Sequence, residues 1–380
     1  MGRSCRISAR KKNFFEINSV RPRDKTCRGI CTLNHKKRES VVQTLAAKLM
    51  TSLVIAPAVA TLQSKSLAAS VAPAIEEGYV ETDDGTRLFY QKTGSGSQAV
   101  IIPLRLYTFE AFKQLGDEFT LIAYDTRGRG RSDPVPDNQK AAKLSIQKDV
   151  ADLERIRQHF NVQKASLIGY SYLGLMIVMY AMEQPDRVAR LVQLGPVPIK
   201  FGTSYPDNLM AKDEPGDAKV LQELRRLRSE ENYHITHPKE YCEKEWSYTR
   251  VGLVGNPANA DKVSANPCEM PNEWPSNLVK HFESSFTSVQ KLDISKGKIA
   301  SVKVPVLTIH GTKDRNAPYG AGREWALILS NARLLSIREG AHQSFDEFRE
   351  IGDSSSEKIF GRQLAGRRRA RHVSKPGILT

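Results

Sequence analysis

The chain has 380 residues, enough for one large α/β core with room for an inserted subdomain. Its formal net charge is +15, but residues 1–48 hold 13 Lys/Arg against three carboxylates and residues 357–380 hold seven against one, so the two tails carry the whole excess. A nucleic-acid surface is normally built into the folded domain, so this distribution argues against nucleic acid as a partner.

Residues 1–75 read as a basic extension. Lys36, Lys37, Arg38 and Lys48 precede the apolar run 49–60 (LMTSLVIAPAVA), which is too short to span a bilayer and suits the core of a signal peptide. Ala58-Val59-Ala60 and Ser70-Val71-Ala72 offer small-residue cleavage sites. The expectation is export to the periplasm or beyond, with no stable membrane insertion after processing. The long basic stretch ahead of the run departs from that pattern. An organelle address, or a basic tail on a cytoplasmic protein, is the alternative.

Of the five cysteines, Cys5, Cys27 and Cys31 fall in this extension. Cys27 and Cys31 with His35 lack a fourth ligand, so no metal site is read there. Cys242 and Cys268 remain; they could pair in an oxidising compartment or stay as two free thiols. A bond would close a 26-residue loop, steadying the segment around it and leaving distant catalytic groups untouched.

From residue 76 the pattern becomes that of a folded domain. Residues 79–82 and 86–91 flank Asp83-Asp84-Gly85 as a hairpin, because Asp-Gly supplies the positive φ of a tight turn. The wholly apolar runs 99–103 and 119–124 predict strands buried on both faces. Ile146, Val150, Leu153, Ile156 and Phe160 have helical spacing, which predicts a helix over 145–160. Strand 165–169, apolar helix 172–182 and strand 188–194 follow, and 304–310 and 333–337 repeat the strand pattern. Strand and helix in alternation predict an α/β fold: a mostly parallel sheet with helices on both faces. Its two halves would be 76–198 and 293–350, with a basic tail over 351–380. Residues 199–292 break the rhythm, being polar, helical around 218–228 and rich in Pro, Asn and Trp, and read as an inserted helical cap.

Three motifs carry chemistry. In Gly169-Tyr170-Ser171-Tyr172-Leu173-Gly174 a strand ends and a helix begins around a serine. The turn needs small residues near the serine, lifts its hydroxyl above the sheet, and points free helix N–H groups at the same place. The strand 304–310 runs out through Gly311 to Asp314, and the last strand runs out through Glu339-Gly340-Ala341 to His342. In this arrangement Ser171 is the nucleophile, His342 the base and Asp314 the acid that orients the imidazole. His310 is a rival base, more simply a satisfied core or strand-end histidine. Asp346 is a rival acid, more simply a helix-surface charge.

The order Ser, Asp, His and the elbow resemble the α/β-hydrolase fold family, over roughly residues 76–351 and in texture nearest its capped proline-iminopeptidase-like and esterase branch. The turn Asp125-Thr126-Arg127-Gly128-Arg129-Gly130-Arg131-Ser132 resembles a structural turn of the same family. Leu173 stands where the family has a second glycine, and Gly174 follows one place later. Pro103-Leu104-Arg105 stands where the family has a His-Gly pair. The resemblance implies oxyanion donors from the backbone of Tyr172 and of Leu104 or Arg105. Epoxide hydrolases and haloalkane dehalogenases share the layout with Asp at the elbow, and Ser171 argues against both. The resemblance implies a serine hydrolase acting on a small ester or an N-terminal peptide bond, without metal or organic cofactor. A non-catalytic binding protein of the same fold, or a lyase or cofactor-free oxidase using the same three residues, is the alternative.

Overall fold

The computed structural model describes residues 73–210, 217–230 and 232–347. The basic extension up to residue 72, with its signal-like run, and the tail beyond 347 lie outside the described residues. Among those described, no helix is long and apolar enough to cross a membrane.

The hairpin forms β1 (Ile75–Glu81) and β2 (Arg87–Thr93), with Gly85 at φ 78 in the turn. The apolar runs form β3 (Ala99–Pro103), β4 (Thr120–Tyr124), β5 (Ala165–Tyr170), β6 (Val188–Leu194), β7 (Val306–Gly311) and β8 (Ala332–Ile337). They join in one eight-stranded sheet of order β1-β2-β4-β3-β5-β6-β7-β8. Only the β1–β2 and β2–β4 pairs are antiparallel. The five parallel pairings put the C-terminal ends of β3, β5, β6, β7 and β8 along one edge, where α/β sheets carry their ligands.

The helix predicted after β4 runs Ile146–His159 and is capped by Ser145, whose hydroxyl accepts the Lys148 N–H. The apolar helix runs Leu173–Glu183, with nine of its residues buried, and lies under β5 and β6. Arg105–Phe112 and Tyr319–Ile328 are further helices on the core.

Residues 195–305, between β6 and β7, carry the helices Asp217–Glu230, Pro238–Gly252 and Pro275–Gln290. This insertion has a small apolar cluster of its own, Leu253, Val254, Ala260, Val263 and Ala265. Its helix Pro275–Gln290 packs on the main core through Val289, Phe282 and Phe286. A buried ion pair fastens it further: Glu273 accepts two N–H groups of Arg129, at 2.8 and 2.9 Å, and the Gly130 N–H at 2.8 Å. Removing one partner of such a pair costs about 3–5 kcal/mol, because the other charge is left buried alone. Cys242 and Cys268 are joined by a disulfide within the insertion, so the paired alternative is the one the fold adopts.

Candidate active site

Ser171 sits at the turn between β5 and helix Leu173–Glu183 with φ 57, a left-handed conformation rare for a residue with a side chain. Its N–H donates to the Leu194 carbonyl at 2.9 Å, which ties the elbow to the end of β6. The close approach that demands glycine is at Gly169, where a Cβ would stand 2.3 Å from the Leu173 carbonyl oxygen. Gly174 is the second tight place, with Pro196 3.0 Å from where its Cβ would be. Leu173 buries its side chain in the core between them, so the sequence departs from the family pattern without crowding the turn. Gln193 buttresses the same spot. Its amide donates to the Gly174 carbonyl at 3.0 Å and accepts from Thr308 of β7 at 2.8 Å.

Asp314 and His342 are brought together: His342 Nδ1 lies 2.7 Å from Asp314 Oδ2. A nitrogen facing a carboxylate carries the proton, so in the neutral ring Nε2 is the free base. Asp314 Oδ1 accepts the N–H groups of Asn316 and Ala317, at 2.9 and 2.8 Å. Burial alone would raise the Asp314 carboxyl; His342 and then His310 outweigh it and hold the group well below the ordinary carboxylate range.

The pair lies beside the elbow. The His342 ring is 4.7 Å from that of Tyr170, the residue before Ser171. Gly195, next after the Leu194 that binds the Ser171 N–H, would place a Cβ 3.0 Å from both Asp314 Oδ2 and His342 Nδ1.

Leu104 has φ 66 and ψ 54 and opens helix Arg105–Phe112, so it takes the left-handed conformation that glycine would supply there. The first N–H groups of a helix have no intrahelical partner. Those of Arg105 and Tyr172, each at the start of its helix, are therefore donors of the kind an oxyanion needs. The Arg105 side chain turns away, donating to Asp125 Oδ2 at 3.1 Å and to Gln91 at 3.0 Å.

His310, the rival base, is fully buried. Its Nε2 is 3.0 Å from the Ala317 carbonyl and 3.2 Å from Asp314 Oδ2, while its Nδ1 is buried without a hydrogen-bond partner, so it is a core histidine bonded through one nitrogen that also touches the acid. Asp346 departs from expectation. It is buried, not a surface charge, and accepts from Ser264 of the insertion at 3.2 Å. Asp149 escaped the sequence reading because its place in a regular helical pattern looks solvated. It is buried, its charge is felt by the Tyr172 phenol, and burial, followed by the Asp152 charge, raises its carboxyl to about 8. A groove of about 450 Å³ on the insertion, lined among others by Arg228, His234 and Trp274, includes none of these residues.

The family model of the alpha/beta hydrolase fold matches residues 105–348. The human serine hydrolase BPHL is 32% identical over 71% of this chain and 83% of its own length. The bifunctional esterase/perhydrolase DCH of Acinetobacter calcoaceticus is 27% identical over 68% of this chain and 90% of its own. Among solved structures, the 2-hydroxy-6-oxo-6-phenylhexa-2,4-dienoate hydrolase of Rhodococcus sp. strain RHA1 superposes with a TM-score of 0.56. It covers 77% of this chain and 99% of that one at 16% identity, a likeness of fold alone.

Proposed function

Because the chain belongs to the α/β-hydrolase fold family, as its match over residues 105–348 shows, we propose that it is a serine hydrolase of small esters or N-terminal peptide bonds. It works through an acyl-serine intermediate. The observation that carries the reading is the 2.7 Å contact of His342 with Asp314 beside a serine held at φ 57.

In this reading His342 Nε2 takes the Ser171 proton as the hydroxyl oxygen attacks the substrate carbonyl carbon. The carbonyl oxygen becomes an oxyanion, which the N–H groups of Tyr172 and Arg105 stabilise; one such donor is worth about 3 kcal/mol. Asp314 holds the imidazole in the required tautomer and stabilises its cation without taking the proton. The imidazolium then gives that proton to the leaving alcohol or amine. Water, deprotonated by the same Nε2, attacks the acyl-serine and releases the acid. Residues 199–292 act as the cap that shapes the acyl and leaving-group sides. The N-terminal run serves export, and mature protein from a secreted or periplasmic fraction should begin between Thr61 and Pro73.

A fluorophosphonate probe tests the reading, because only an activated serine takes the label. Wild type is expected to label and Ser171→Ala not, with esterase activity lost by about 10⁶-fold where such a unit is broken. His342→Ala should be nearly as severe, and the double variant no worse. A Ser171→Ala protein within about tenfold of wild type would sink the assignment. An unlabelled wild type would leave a binding protein of the same fold.

A further inference from the structure

His342 sits between two sets of fastenings. Ahead of it, the core holds the chain: the Lys313 N–H donates to the Gly340 carbonyl at 2.9 Å, and the Glu339 N–H to Thr312 Oγ1 at 3.0 Å. Behind it, the partners belong to the insertion. The Gln343 N–H donates to the Leu253 carbonyl at 2.8 Å. The Glu347 carboxylate, 2% exposed, accepts the Gly255 N–H on one oxygen and the Asn256 N–H and Asn259 Nδ2–H on the other, all at 2.9 Å. Gly255 lies so close to this loop that a Cβ would overlap the Glu339 carbonyl oxygen, at 1.5 Å. The one-turn helix Ser344–Glu347 therefore connects the base directly to a turn of the insertion more than eighty residues earlier in the chain.

We infer that Glu347 is a positioning residue for His342, clamping the base to the 253–259 turn of the insertion. The inference rests on the reading of His342 as the base. The physical reason is the concentration of donors on one buried carboxylate. A hydrogen bond to a charged group is worth more than a neutral one, and three converging on one rigid anion fix its place in three directions. Helix Ser344–Glu347 transmits that fixity over a single turn. A base displaced by a fraction of an ångström loses rate without losing substrate affinity, since binding groups elsewhere are unmoved. The insertion thereby has a part in the chemistry as well as in covering the site.

Glu347→Gln and Asn259→Ala test this on the full chain, by the rate and end point of fluorophosphonate labelling and by kcat and KM on an aryl ester. Glu347→Gln keeps shape and one acceptor but loses the charge; Asn259→Ala removes one donor and leaves the carboxylate. Both should label to the wild-type end point. Glu347→Gln should label and turn over more slowly by about tenfold or more, with Asn259→Ala in between. KM should stay within about twofold, the signature of a transition-state effect. Rates equal to wild type in both variants overturn the inference. So does a loss that appears only in the end point, because that is a loss of folded protein. A wild type that takes no label overturns the serine-hydrolase reading and this inference with it, whereas a labelled wild type beside unaltered variants overturns this inference alone.

Discussion

His310 Nε2 lies 3.2 Å from Asp314 Oδ2, the same carboxylate oxygen on which His342 Nδ1 rests at 2.7 Å. Both acceptors facing His310 Nε2 are oxygens, the second being the Ala317 carbonyl at 3.0 Å, so that nitrogen carries the proton and shares it between them. Asp314 is thus satisfied on four sides, by two backbone amides and two imidazoles.

In His310→Leu the acid loses one of its four donors, so Asp314 is held less firmly against His342. The rate should fall by roughly tenfold or more, the worth of a hydrogen bond to a charged group. His310→Gln restores an N–H near the same place and should recover most of the loss. A Leu variant with unaltered rate would show that His310 is only filler in the core.

Gly195 gives a purely steric test. It has φ 50, and any side chain there meets Asp314 and His342 at 3.0 Å. Gly202 has φ 81 and open space within 4 Å, so Gly202→Ala bears the same kind of backbone strain and crowds nothing. Each should lose about 1–2 kcal/mol of stability from the left-handed backbone. Only Gly195→Ala should also lose kcat, by about tenfold to a hundredfold, as the His–Asp pair is pushed out of line. Equal kcat in the two variants by ester assay would refute the placement.

The strands that lead to Ser171 and Asp314 were legible because they are buried on both faces, whereas β8, ahead of His342, is a half-exposed edge strand. Residues 99–103 and 188–194 coincide with β3 and β6 end to end, and apolar runs bounded by turn residues leave little freedom of assignment. Ser171, Asp314 and His342 were legible as strand ends. The helix Tyr319–Ile328 was not. Gly320 and Gly322 lower its propensity, yet they are what allows it to lie on the Tyr205 ring and on His310. Glu347 and the 253–259 turn were beyond reach for another reason: neither end of a contact spanning about ninety residues shows any local pattern.

Asp149 makes stability depend on pH. Its carboxyl is raised from 3.8 to about 8, by burial first and Asp152 second, against the opposing pull of Arg127 and Arg129. Below 3.8 both folded and unfolded chains hold the proton, and the group is silent. Between the two values only the folded chain holds it, so each step up in pH favours unfolding, and the loss is complete above about 8. Each pH step of one across this window costs about 1.4 kcal/mol, so the whole loss is on the order of several kcal/mol. Asp149→Asn should match wild type near pH 4 and exceed it at pH 8 to 9 in urea unfolding. A gap that does not widen with pH would refute the buried neutral acid.

The Cys242–Cys268 disulfide is the last test, and the structure alters what it should do. From the sequence, the bond is expected to steady the insertion and leave the catalytic groups alone. In the fold, the ring it closes contains Leu253, Gly255, Asn256, Asn259 and Ser264, every insertion residue named above that bonds to the chain at 343–347. Closing a 26-residue loop removes about 3–4 kcal/mol of unfolded-state freedom by the chain-entropy estimate. Part of that acts on the turn that holds Glu347. Thiol counting on denatured, unreduced mature protein should find no free thiol. Cys242→Ser with Cys268→Ser should lower the unfolding temperature by several degrees for a loss of about 3 kcal/mol. Below that temperature the double variant should still take fluorophosphonate at Ser171, but more slowly than wild type. Adding Glu347→Gln should slow it by less than it slows wild type, because the two changes loosen one element and cannot add in full. Two free thiols would end the argument at its first step. Fully additive losses would show that the ring and the carboxylate act on His342 separately.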